Sequence, residues 1–253
     1  MSLKQLVFSM GAHYLRTVVK SRRSLIAAVL YLLTLVFLVV GAVNNAAEGP
    51  QALALYGSFQ FLGPLGFLVQ FFGLFYGIAV ISEELENGTL PFLLVRPVPR
   101  WTFVLGRACA AFLFIFIALT LMNMILLVLV RPDPLLPSLL ASQLALALGT
   151  MVYVSLFTAI STVVKKPLAP ALLFLVLWEF GLSLVPLKAR YVTVKFHLMS
   201  LYRGLSGTEA GGGVAEQFFA RCDLAPSTSI VVLTLTSAGA LWIALARFKR
   251  MQI

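Results

Sequence analysis

Long apolar runs separated by short polar connections organise this chain of 253 residues. Six of them, Ser24–Val43, Ala52–Ile81, Phe103–Val130, Leu135–Val164, Leu168–Leu187 and Ser229–Ala246, reach the ~20 residues that a helix needs to cross roughly 30 Å of hydrocarbon. Helices are the expected form, because a helix meets its own backbone hydrogen bonds without water. The second and fourth runs exceed a perpendicular crossing, which predicts tilt, a kink or a protruding end, and Gly63-Pro64 is the natural break in the second.

Two further patterns flank the runs. Leu3, Leu6, Val7, Met10, Tyr14 and Val18 recur at spacings of three and four, with Lys4, His13, Arg16 and Lys20 largely between them. This predicts an amphipathic helix over residues 1–23 that lies in the membrane interface as an elbow anchoring the first span. The first run is too long and too far from the N-terminus for a secretory leader, and is read as retained. Between the last two runs, residues 188–228 carry an apolar-aromatic stretch, Tyr191 to Leu205, and then the flexible run Gly207 to Gly213. A short amphipathic or re-entrant helix followed by a hinge fits that pattern.

Charge sets the orientation. Thirteen Lys and Arg residues fall at the N-terminus, the second-to-third and fourth-to-fifth connections and the C-terminus, against six on the opposite side. The positive-inside rule then puts both termini in the cytoplasm and the 188–228 loop outside.

Composition agrees with a bilayer as solvent: 60% of residues are hydrophobic and 11% charged, with a formal net charge of +10. In a soluble domain that charge would suggest nucleic acid. Here cationic loops account for it, and no nucleic-acid partner is expected. The two cysteines, Cys109 and Cys222, fall on opposite sides of the membrane and cannot bridge within one chain. With His13 and His197 far apart, they build no metal site.

Catalytic motifs are missing. The chain holds no HExxH, GxSxG or phosphate-binding glycine loop, and Gly211 to Gly213 lack the Lys-Ser/Thr that would hold phosphate. It is not expected to be an enzyme or to bind a cofactor itself.

The dense polar feature is the cytoplasmic connection over residues 82–100, reading SEELENGTLPFLLVRPVPR. Glu83, Glu84 and Glu86 follow a candidate helix cap, Ser82, and a turn at Gly88-Thr89 precedes the apolar ridge of Leu90, Phe92, Leu93, Leu94 and Val95. Arg96, Pro97, Arg100 and Arg107 follow. Acids, turn, ridge and bases in this order suit a docking surface, the ridge filling a groove and the charges fixing register.

The pattern E-E-x-E-x-G-T-L-x-x-L-L-x-x-P-x-x-R from Glu83 to Arg100, between the second and third of six spans, resembles the signature of ABC-2-type transporter permeases. It is most similar to small six-helix permeases with a separate ATPase, such as the type associated with nitrous-oxide reductase maturation. Pro91 departs from relatives that carry an acid there. The resemblance implies an all-α integral membrane permease of one domain over 1–253, in which Glu83 to Val95 form a coupling helix. It also implies two copies of an ABC ATPase carrying ATP and Mg, and a second permease copy forming a homodimer, with a heterodimer with a similar permease as the alternative.

Inside the spans the polar inventory is thin. Glu179 is the one intramembrane acid, a candidate for a headgroup, a proton or a partner across a dimer, or a hydrogen-bonded structural residue. Gln60, Gln70, Asn123 and Gln143 add polar lining if they face inward. Phe59, Phe61, Phe67, Phe71, Phe72 and Phe75 suit lipid contact and packing, and Gly63, Gly66, Gly73 and Gly77 suit close helix approach. The expected function is an exporter permease for a lipidic or amphipathic substrate in the cell membrane. The alternatives are a proton-coupled secondary transporter using Glu179 and an ABC subunit that transmits force without moving cargo.

Overall fold

The computed structural model of the chain describes residues 3–45, 50–86, 100–164, 166–182, 191–207 and 224–250. All regular elements among them are helical. They are α1 (Leu3–Val19), α2 (Arg22–Asn44), α3 (Pro50–Leu62), α4 (Val69–Glu86), α5 (Arg100–Val130), α6 (Leu135–Val163), α7 (Leu168–Phe174), α8 (Val194–Ser206) and α9 (Pro226–Arg250). Two π-helical stretches, Pro64–Leu68 and Leu175–Gly181, join α3 to α4 and extend α7.

Five helical stretches are long and apolar enough to cross a membrane: Arg22–Asn44, Gln51–Ser82, Trp101–Val130, Leu135–Val163 and Pro226–Lys249. The chain is a multi-pass membrane protein. The fifth predicted run is shorter in its described part, Leu168–Gly181, about 21 Å of helix at 1.5 Å per residue. Residues 183–187 lie outside the described residues, so a sixth crossing is an expectation and not a finding.

Gly63-Pro64 breaks the second crossing in the way its chemistry dictates. Proline has no N–H to give, and the ladder widens around it: the Phe67 and Leu68 amides both donate to Gly63 O, at 3.1 and 3.0 Å. Glycine is required beside it, because a Cβ on Gly66 would sit 1.6 Å from Phe61 O and one on Gly63 2.4 Å from Leu38 Cδ1.

The second crossing is also the centre of the bundle. The most apolar window of Gln51–Ser82 is 83% buried, against 17% for Arg22–Asn44, whose apolar side chains mostly face outward. Lipid is as apolar as leucine, so contact at short range, not exclusion of apolar surface from water, holds such helices together. Gly73 and Gly77 supply it: a Cβ at Gly73 would lie 2.5 Å from Tyr153 Cβ, and one at Gly77 3.0 Å from Phe157 Cβ. Thr158 Oγ1 donates to Gly77 O at 3.1 Å across the same crossing. α6 therefore packs closely along α4, and it also carries α8 and α9.

Contacts between helices add detail to three sequence expectations. The N-terminal helix lies chiefly along α5, not α2, because Gly11 meets Gly106 and Ala110 closely: its Cβ would be 3.1 Å from Ala110 Cβ and from Gly106 O. Phenylalanines of the second crossing pack inward more than outward. Phe59 and Phe72 are buried, and Phe67 and Phe71 sit 6.4 and 6.3 Å from the Phe180 ring. The short helix expected within residues 188–228 is present as α8 and is buried rather than peripheral: Thr193 caps it, Gly207 closes it at φ 67°, and Val194 to Tyr202 are all buried.

Replacing Gly73 by alanine is expected to lower the detergent melting temperature by several degrees, since overpacking a close contact costs about 1–3 kcal/mol. Gly239→Ala, where a Cβ meets nothing within 4 Å, is the control and should not lower it. Equal melting of the two variants would contradict the α4–α6 crossing.

Candidate functional site

The wide π turns of Leu175–Gly181 carry Glu179, the acid of the fifth predicted run. π stretches of this kind re-aim side chains and recur at functional positions. Glu179 is fully buried and turned toward the start of α8. Its Oε1 accepts the Val194 N–H at 3.2 Å and its Oε2 the Lys195 N–H at 3.1 Å. Thr193 Oγ1 accepts the Phe196 N–H at 3.3 Å. A helix start leaves such amides without partners and carries partial positive charge, so a carboxylate and a hydroxyl here complete the end of α8 inside the bundle. Lys195 itself is buried, with its ammonium 4.5 Å from the Phe61 ring centroid and 4.9 Å from that of Phe180. It and Glu179 attract each other, and the aromatic faces take part of the cation's solvation.

Tyr153 lies within electrostatic reach of Glu179, and Gln70 lies beside Tyr153. Both are fully buried, and neither the Tyr153 hydroxyl nor the Gln70 amide has a hydrogen-bond partner of ordinary length. Gln60 and Asn123 belong to a second cluster, nearer the α5–α6 connection. Gln60 Nε2 and the Tyr56 hydroxyl donate to Asn123 Oδ1, the latter at 2.7 Å, and Asn123 Nδ2 donates to Ser142 Oγ at 2.9 Å. Gln143 joins neither; its Oε1 accepts from Thr120 Oγ1 at 3.0 Å. Of the four candidate pathway residues, Gln70 thus accompanies Glu179, while Gln60 and Asn123 tie α3, α5 and α6 together.

At the opposite end of the bundle lie the roots of segment 82–100. Glu83, Glu84 and Glu86 fall on the last turn of α4 and Arg100 begins α5. Gly88, Thr89, Leu90, Phe92, Leu93, Leu94, Arg96 and Pro97 lie outside the described residues. Ser82 is not a helix cap: α4 runs through it to Glu86, and its hydroxyl accepts from Arg23 Nη1 at 3.1 Å. One turn away, Arg107 Nη1 donates to Val80 O at 2.9 Å, and its guanidinium carbon lies 4.6 Å from the Phe103 centroid and 5.4 Å from that of Tyr14. The Tyr14 hydroxyl donates to Tyr76 O at 2.6 Å, and Phe103 stacks on Phe248 at 5.8 Å. The start of α2, the end of α4, the start of α5 and the end of α9 therefore share one end of the molecule, with α1 laid against them.

Sequence reasoning missed Lys195, which it counted as a cation of the outer loop, and it missed Tyr153 and Thr193. The available signal was an acid and a base 16 residues apart, with Lys195 inside the apolar-aromatic stretch Tyr191 to Leu205. Tyr153 carried none.

The family model described as "ABC-2 family transporter protein" matches residues 12–253. No curated protein matches the chain.

Glu179→Leu would strand the Val194 and Lys195 amides, at about 1–3 kcal/mol for each buried unpaired group. We expect it to melt well below wild type in detergent, with Glu179→Gln, which keeps one carbonyl oxygen, in between. If all three melt together, Glu179 does not hold α8.

Proposed function

Because the chain belongs to the ABC-2 transporter family and is a membrane permease of an ABC transporter, we propose that it is the membrane half of an exporter powered by a separate ATPase. Permeases of this family work with an ABC ATPase. In this reading two ATPase copies hold ATP and Mg, this chain pairs with a second copy of itself, and residues 82–100 dock in the ATPase. The match over residues 12–253 supports the reading most.

The geometry adds support at the level of mechanics. Segment 82–100 is rooted in α4 and α5, and α4 completes the second crossing, the most buried of the five. A push on the segment acts directly on that central helix, and through the Gly73 and Gly77 contacts on α6. The exposed cations Arg16, Lys20 and Arg22 lie at the same end, as do Arg247 and Lys249 of α9. This favours a cytoplasmic location for that end and for both termini, in the cell membrane. A lipidic or amphipathic cargo suits spans that are apolar over most of their length. A subunit that transmits force without cargo would use the same parts.

A proton-coupled carrier using Glu179 fits less well. Both carboxylate oxygens already accept backbone amides, so protonation would weaken the anchor of α8 in each cycle.

The two mechanisms separate in reconstituted vesicles. Glu84→Lys and Arg100→Glu are each expected to cut ATP-dependent transport by about tenfold or more, as loss of a charged interface contact does at 2–5 kcal/mol. ATP-independent uptake that survives both changes and disappears in Glu179→Gln would reverse the assignment in favour of the carrier.

A further inference from the structure

Arg107 is buried where both ends of segment 82–100 enter the bundle. The geometry points to it as the positioning residue that locks those two ends into one body, so that motion imposed on the segment reaches α4 and α5 together. The inference rests on the coupling role proposed above for residues 82–100.

Orientation alone does not account for this arginine. A cation that only satisfies the positive-inside rule can stay at the surface, as Arg16, Lys20, Arg22, Arg247 and Lys249 do. Arg107 is instead 1% exposed, two turns into α5. Taking a guanidinium out of water costs several kcal/mol unless its contacts are well made.

Those contacts reach three helices. Nη1 holds Val80 O, just ahead of the point where α4 gives way to the segment. Phe103, one turn back on α5, and Tyr14 of α1 offer their faces to the guanidinium. Tyr14 in turn hydrogen-bonds Tyr76 O on α4. The near-contact of Gly11 with Gly106 and Ala110 keeps α1 from sliding along α5. With Phe248 stacked on Phe103, the end of α9 follows. A planar fork that donates along its edge and stacks on its face is what this position uses, and a lysine ammonium supplies only a point charge.

The test uses the full chain in nanodiscs with the ATPase that co-purifies with it. A photo-crosslinker at Leu90 reads docking, and the maleimide labelling rate of Leu205→Cys, an exposed site near the far end of α8, reads motion with and without ATP and vanadate. Arg107→Gln is expected to keep crosslink capture at the wild-type level while its nucleotide-driven change in labelling falls about fivefold or more, and Arg107→Lys should recover part of it. A full nucleotide response in Arg107→Gln overturns the clamp, as does wild type showing capture without any response. Capture lost in Arg107→Gln alone makes Arg107 an ATPase contact and also overturns it. No capture in wild type removes the coupling reading itself. If Arg107→Gln does not fold, Arg107→Lys decides: a response reduced about twofold or more supports the clamp and an undiminished one rejects it.

Discussion

No water is available inside a bilayer, so each polar group placed there must find its partner within the protein. A helix that merely crosses meets this demand through its own ladder. This chain does more: it starts α8 inside the bundle and breaks its second crossing at Gly63-Pro64. Each departure comes with its own remedy. Glu179 and Thr193 take the three amides at the head of α8, and a widened ladder on Gly63 O absorbs the proline. Asn123, Gln60, Tyr56 and Ser142 likewise meet one another rather than lipid.

The same demand sets the close-packed α4–α6 pair apart from α8, whose head needs side chains to complete it. Backbones in near contact at Gly73 and Gly77 leave α4 and α6 little room to shift independently. α8 lies against α6, with Leu198 close to Gly149 and Gly204 close to Pro226 at the head of α9. Its inner end is fastened by one carboxylate. Movement that starts at the roots of segment 82–100 would pass along packed backbone before it reaches that fastening. Contiguous packing shows what can move together, while coupling is a free energy that must be measured.

Much of the architecture was legible in sequence because hydrophobic runs and helix length are one-dimensional signals. Five crossings, the N-terminal amphipathic helix and the Gly63-Pro64 break all follow from periodicity and from the chemistry of two residues. Contacts between helices were not legible. Nothing in the pattern distinguishes an elbow resting on the first span from one resting on α5, a choice made by the three-dimensional fit of Gly11 to Gly106. Lys195 read as a loop cation because positive-inside counting ignores burial. Ser82 read as a cap because a hydroxyl before three acids has that appearance, yet α4 continues through it and Arg23 claims the hydroxyl. At the site, Glu179 was identifiable as the lone acid of the predicted spans, but two of its partners are backbone amides, which leave no trace in side-chain identity.

In the proposed assembly this permease is worked by a separate chain that binds and hydrolyses the nucleotide. Purification of the intact chain in mild detergent tests this most directly. A P-loop ATPase whose turnover changes when this chain is present should be recovered with it. Isolation of the chain alone, with transport indifferent to ATP, would contradict it.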